Sequence, residues 1–175
     1  SGVATDTVPD VMLTTEGASQ QVTSTGVCED VVGNSAAPAQ VSVSIDKTAP
    51  TITPHVSGTA GANGWYTSDV DVTFDCTDAV SGVGTDTVAD VALTTEGANQ
   101  QVSSSGVCSD LAGHSAAPVQ MSISIDKTAP TATLAVVSGV LGANGWYVSA
   151  VTMGTSGADD VSGPVVCTPD QAQAN

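Results

Sequence analysis

Arginine is absent from this chain, and lysine appears only as Lys47 and Lys127. Against those two cations stand 18 aspartates and glutamates, for a formal net charge of -16. So few cations leave no basic patch to displace the counterions of a nucleic acid, which excludes DNA and RNA as partners. Anionic membrane surfaces are excluded on the same ground. Long hydrophobic runs are missing as well, and no stretch reaches the roughly 18 apolar residues of a membrane-spanning helix. Aromatic residues reduce to Trp65, Tyr66, Phe74, Trp146 and Tyr147, which leaves only a modest core. Histidine is scarce too, with His55 and His114 alone, and no Gly-x-Ser-x-Gly nucleophile turn occurs. We therefore expect no enzymatic activity in this segment.

What is present is a repeat. Residues 1–50 return as residues 81–130 without a gap, with 37 of the 50 positions identical. A second frame, Gly-Ala-Asn-Gly-Trp-Tyr at 61–66, returns at 142–147. Tandem copies of a module usually supply length, spacing or multivalency rather than one reaction. His114 replaces Asn34 of the sister copy, an exchange a catalytic base would not tolerate. Hydrophobic residues make up 41% of the chain, mostly as alternating Val, Ile and Ala, which opposes disorder despite the charge.

Both copies close on the same pattern. Val41, Val43 and Ile45 alternate with Ser42, Ser44 and Asp46; Val119, Met121, Ile123 and Ile125 alternate with Gln120, Ser122, Ser124 and Asp126. Period-2 alternation means a strand with one buried face. Each strand runs into Asp-Lys-Thr-Ala-Pro, at 46–50 and 126–130, where proline stops the ladder and stiffens an extended crossing. Placing borders there gives three parts: a C-terminal half domain at 1–47, a complete domain at 48–128 and an N-terminal half domain at 129–175. Strands in the complete part are expected at 51–56, 69–76, 82–87, 88–94, 100–108 and 118–126, separated by Gly- and Asn-rich turns. No helical period is sustained, so the class is all-β, with tandem sandwiches. Cys76 and Cys108 fall on the second and penultimate strands, the positions an immunoglobulin sandwich joins between its sheets. No Cys-x-x-Cys occurs, so a disulfide is favoured over a zinc site. Repeated cysteines in small β units indicate an oxidising compartment.

The strings GWYTSDVDVTFDCTDAVSGV, GVCSDLAGHSAAP and SIDKTAPT resemble the immunoglobulin-like repeats of bacterial secreted and cell-surface proteins. The last segment, DDVSGPVVCTPD, is similar to the related hyalin repeat. The resemblance covers essentially the whole chain and implies an immunoglobulin-like fold. It implies a bacterial extracellular or cell-surface setting, and a role as a stalk, adhesin or filament built from repeats. The alternative is an accessory module of a large secreted hydrolase, whose chemistry would lie outside this segment. Some repeats of this kind bind calcium between domains. Here the oxygen ligands would come from Asp46 and Asp126 in the linkers and from Asp78 and Asp110 in turns. Against calcium stands the plainer role of each Asp as a turn residue bonding its own backbone, and no EF-hand-like loop is present. No other cofactor is expected. Lys47 and Lys127, being in linkers, are read as ordinary exposed lysines rather than isopeptide crosslinks. Trp65 and Trp146 are read as caps on a core short of large side chains rather than as a carbohydrate platform.

The chain starts at Ser1 in mid-motif, as expected of a processed product or a segment of something longer. Residues 1–47 carry Cys28 at the position of Cys108, the residue matching Cys76 in the tail is Gly157, and the tail offers Cys167 just after Ser162-Gly163, where the third strand is expected. The expected partners are therefore neighbouring repeats or other copies of the chain. In the latter case a head-to-tail contact would join Cys28 and Cys167 between chains and build a filament.

Overall fold

Along Val70–Thr77 the apolar side chains Val70, Val72 and Phe74 alternate with Asp71, Thr73 and Asp75, and burial follows that alternation. Val70 and Val72 are wholly enclosed and Phe74 is 5% exposed. The computed structural model describes residues 2–167; Ser1 and positions 168–175, the end of the expected tail half domain, lie outside the described residues. Among these residues there are fourteen β-strands, no α-helix and a single 3-10 turn at Ala143–Gly145. The described chain is all-β, built from several small sheets, which is consistent with a β-sandwich.

The strands are β1 (Val3–Asp6), β2 (Gly17–Thr23), β3 (Cys28–Asp30), β4 (Gln40–Ile45), β5 (Thr51–Ser57), β6 (Trp65–Tyr66) and β7 (Val70–Thr77). They continue with β8 (Val83–Asp86), β9 (Val91–Leu93), β10 (Gly97–Ser103), β11 (Cys108–Asp110), β12 (Gln120–Ile125), β13 (Thr131–Ser138) and β14 (Thr152–Ala158). The chain divides into two compact units. One holds the residues up to Pro54 with Phe74–Ala89 and Ser104–Val119; the other holds His55–Thr73, Asp90–Ser103 and everything from Gln120 onward.

In the first unit, β1 pairs with β3 and β2 with β4, both antiparallel. The sister strands β8 and β11 pair in the same way. Cys76 and Cys108 are joined, with their Cα atoms 5.7 Å apart. The buried residues here, among those described, are Pro50, Phe74, Ser104, Cys108 and Asp110.

In the second unit, β10 pairs antiparallel with β12, and β6 lies parallel on the other side of β12, Trp65 opposite Ser124. Val70, Asp71 and Val72 of β7 pair with Leu93, Ala92 and Val91 of β9. Val70, Val72, Val102, Ile123 and Ile125 form the core, none more than 4% exposed. β13 and β14 make an antiparallel hairpin from Thr131↔Ala158 to Ser138↔Thr152.

The structure departs from the sequence reading in two places. The single strand expected over 100–108 is two, β10 and β11, in different sheets. Gly106, at a φ of 113°, turns the chain between them, and any side chain there would collide with the Thr87 carbonyl. Trp65 is half-buried on β6, as a core cap should be, whereas Trp146 is 76% exposed. Trp146 follows the 3-10 turn and, among the described residues, pairs with no strand that could play the part β12 plays for Trp65.

The disulfide closes a separation of 32 residues in a protein with few large core side chains. Loop-closure entropy assigns such a link about 3–4 kcal/mol. The double variant Cys76→Ala/Cys108→Ala is therefore expected to unfold at markedly lower denaturant while keeping its β circular dichroism. An unchanged midpoint would show that the link does not constrain the unfolded chain.

Candidate functional site

Aspartates at the starts of turns organise the loops of this protein. Asp78 Oδ1 accepts the N–H groups of Val80 (3.1 Å), Ser81 (3.0 Å) and Gly82 (2.8 Å). Asp159 repeats the arrangement with Val161 (3.0 Å) and Ser162 (2.8 Å). Such turns satisfy backbone donors that no ladder reaches.

A second type of turn follows β3 and β11. Asp110 Oδ1 accepts the N–H groups of Gly113 (2.6 Å) and His114 (2.8 Å), and Oδ2 meets His114 Nδ1 at 2.8 Å. In the sister copy Asp30 accepts the Asn34 N–H at 2.9 Å and the Asn34 side-chain amide at 2.8 Å. Asparagine and histidine thus fill one role, as donors to a buried or half-buried carboxylate. That explains why the two residue types interchange between the copies.

The linker aspartate Asp46 comes to the same place. Its Oδ1 accepts the Thr48 N–H and its Oδ2 the Ser81 N–H, each at 3.0 Å. Ligand-capable atoms of Asp46, Asp110 and His114 lie within 4.8 Å of one another. The Asp110 side chain is fully enclosed, and that of His114 is 38% exposed. Burial pushes the Asp110 carboxyl up, but the His114 and Gly113 donors outweigh it and hold it below the usual carboxylate range. Ser81 and Thr48 do the same for Asp46. The hydrogen bond to Asp110 raises His114 above the ordinary imidazole value against its desolvation, and the charges of Asp46 and Asp78 add to it.

Of the four aspartates considered for calcium, Asp46 and Asp110 meet here, and Asp78 is near enough for its charge to act on His114. Asp126 lies elsewhere. It accepts the Thr128 N–H at 3.0 Å, donates its own N–H to the Tyr66 carbonyl at 2.9 Å, and lines a cleft of about 460 Å³ with Trp65, Asp159 and Ser162. Calcium asks for six to eight oxygen ligands. The group around Asp46 offers two carboxylates already holding peptide N–H groups, together with an imidazole, and this donor set fits a hydrogen-bonded junction better than a calcium cage.

The two linkers carry contacts that the sequence reading missed. Glu96 Oε1 accepts the Lys127 N–H at 2.6 Å and the Thr128 hydroxyl at 2.9 Å, while Lys127 Nζ donates to the Thr94 carbonyl at 2.7 Å. Glu16, Lys47, Thr48 and Thr14 reproduce these bonds, at 2.6, 2.9 and 2.6 Å. Lys127 also pairs with Asp69 at 2.7 Å. The signal was available: Thr-Thr-Glu-Gly stands unchanged in both copies, at 14–17 and 94–97. Ser-x-x-Lys also occurs twice, at 44–47 and 124–127, but those residues serve the fold. Ser44 and Ser124 accept the N–H groups of Ser19 and Asn99, and both lysines bind carbonyls. No protein-family model, curated protein or solved structure matches the chain.

Two outcomes follow. The Asp110–His114 ion pair exists only between the lowered pKa of Asp110 and the raised pKa of His114. Its His114 contribution is complete below the ordinary imidazole pKa and is lost as pH rises through the raised one. Melting temperature should therefore fall from mildly acidic to mildly alkaline pH, and His114→Asn should flatten that fall without unfolding the protein. An equal slope in the variant would remove His114 as its source. Calcium at millimolar concentration, followed by chelator, is expected to leave the transition where it is; a calcium-dependent rise abolished by Asp46→Asn would instead make Asp46 a ligand.

Proposed function

We propose that this chain is a non-catalytic structural repeat of an extracellular or surface-displayed bacterial protein. In this reading its modules are immunoglobulin-like sandwiches with borders at the two Asp-Lys-Thr-Ala-Pro linkers, in an array that serves as stalk, adhesin or filament. The observation that carries it is the duplicated linker. The same glutamate, lysine and threonine bonds hold residues 46–48 and residues 126–128. A module that repeats its connector as faithfully as its strands is organised for spacing. The disulfide supports an oxidising location. The acidic surface supports solubility at exposure to salt. The exchange of His114 for Asn34 at equivalent positions supports a structural rather than a chemical role for the histidine that contacts a buried carboxylate.

The test is made on native material. Cells are alkylated before lysis, and the surface and culture fractions are digested without reductant. The Cys76–Cys108 peptide is expected in those fractions in oxidised form. Recovery of the chain only from the cytosol, with both residues alkylated, would contradict the assignment.

A further inference from the structure

The turn after β11 differs from its sister after β3 by one donor. Asn34 meets Asp30 Oδ2 through its side-chain amide nitrogen at 2.8 Å, and His114 meets Asp110 Oδ2 through Nδ1 at 2.8 Å. The geometry is shared, but the chemistry is not. An amide nitrogen has its electron pair tied up in resonance, whereas an imidazole nitrogen that has lost its proton is a strong ligand for transition metals. Ligands held at about 2.0–2.2 Å in a zinc tetrahedron stand roughly 3.3–3.6 Å apart. The His114–Asp110 contact thus needs to open by only about half an ångström to admit an ion. At 38% exposure the His114 side chain has room to turn.

A third ligand arrives from the linker. Ligand-capable atoms of Asp46, Asp110 and His114 lie within 4.8 Å of one another, all in one compact unit. Both carboxylates keep electron pairs beyond those their peptide donors use, since each oxygen can accept twice. Asp46 accepts the Thr48 N–H at Oδ1 and the Ser81 N–H at Oδ2. Asp110 receives the Gly113 and His114 N–H groups at Oδ1, which leaves the imidazole as the partner of Oδ2. The negative charge of Asp110 opposes ionisation of Asp46, a repulsion that a divalent cation would remove.

Ser81 supplies an independent sign that this place is incomplete. Its hydroxyl oxygen is closed off from solvent and, among the described residues, completes no hydrogen bond. The side chain nevertheless lies against Asp46, whose carboxyl it helps to draw down. Buried hydroxyls without a partner are rare and call for an explanation. This one lines a cavity of about 350 Å³ together with Asp46, so a polar group seated at the Asp46 carboxylate would meet it.

We propose that Asp46, Asp110 and His114 are a structural site for a divalent transition metal of the zinc type. His114 Nδ1, Asp110 Oδ2 and one Asp46 oxygen are the ligands, and a water in the fourth position takes the Ser81 hydroxyl as its partner. The ion replaces the Nδ1 proton of the imidazolium, which goes to solvent while Nε2 keeps its own. Two carboxylates then balance its two positive charges. Calcium is a poor occupant, because one ligand is nitrogen and the oxygens are too few. The metal pins the linker at Asp46 to the turn after β11. The site goes beyond the structural-repeat reading, which stands without it.

The experiment uses the full chain with its two free thiols, Cys28 and Cys167, alkylated so that they take no metal. After treatment with chelator and its removal, Zn²⁺ is titrated by calorimetry, and melting is followed with and without zinc. One zinc per chain is expected, with a rise in melting temperature that chelator reverses and that equal Ca²⁺ does not produce. Co²⁺ in place of zinc should give the visible absorption of a four-coordinate site. His114→Asn copies the sister turn and so keeps the fold. It should weaken zinc binding by more than the roughly tenfold that loss of an outer-shell partner costs. Asp46→Asn should do the same, while His55→Asn should leave zinc binding unchanged. Binding that survives both His114→Asn and Asp46→Asn, or binding lost with His55→Asn, would overturn the proposal. So would calcium that stabilises as well as zinc, or the absence of saturable binding below millimolar zinc. The structural-repeat reading is tested apart from this, by the oxidised Cys76–Cys108 peptide.

Discussion

A strand face made of small aliphatic side chains is stable only when a second sheet covers it, and this protein depends on that condition throughout. A fully covered Val or Ile contributes about 1.5–3 kcal/mol, and there are few larger side chains to make up a shortfall. The effect is visible because the chain carries its own control. Near-identical residues on β2–β4 and β10–β12 differ in burial, and the fully buried set shares its unit with the enclosed Val70 and Val72 of β7. The disulfide at Cys76–Cys108 adds a covalent restraint where the apolar area is small.

Around this core, acidic residues work as hydrogen-bond acceptors as well as surface charge. Asp78, Asp110, Asp30 and Asp159 satisfy turn amides, and Glu16 and Glu96 hold the linkers. With only two lysines available, backbone N–H groups and one imidazole are the principal counterparts of the buried carboxylates. That choice makes the loops insensitive to the identity of a cationic partner and allows Asn34 and His114 to exchange.

Much of the fold was legible in the sequence because alternation is a direct record of a two-sided strand. β7 and β12 declare themselves in this way, and so do the proline linkers. The split between β10 and β11 was hidden, since it depends on one glycine conformation at Gly106 and on the approach of the Thr87 carbonyl. The parallel pairing of β6 with β12 was hidden for a similar reason: two residues are too short for any period to show. At the linkers, proline and aspartate were visible, while the glutamates showed only as the repeated Thr-Thr-Glu-Gly and their partners did not, because Glu96 meets Lys127 and Thr128 across about thirty residues of sequence. The proximity of Cys167 to Gly157 belongs to the same class. It arises from the path of the segment after Asp159, which no local pattern encodes.

The central claim is that cover, rather than local sequence, separates the two copies. Amide hydrogen exchange measures this directly, since the compared strands lie in one molecule. The account predicts that amides of β10 and β12, such as Val102 and Ile123, exchange at least about tenfold more slowly than Val22 and Val43 of β2 and β4. Equal protection of the two copies would contradict the account.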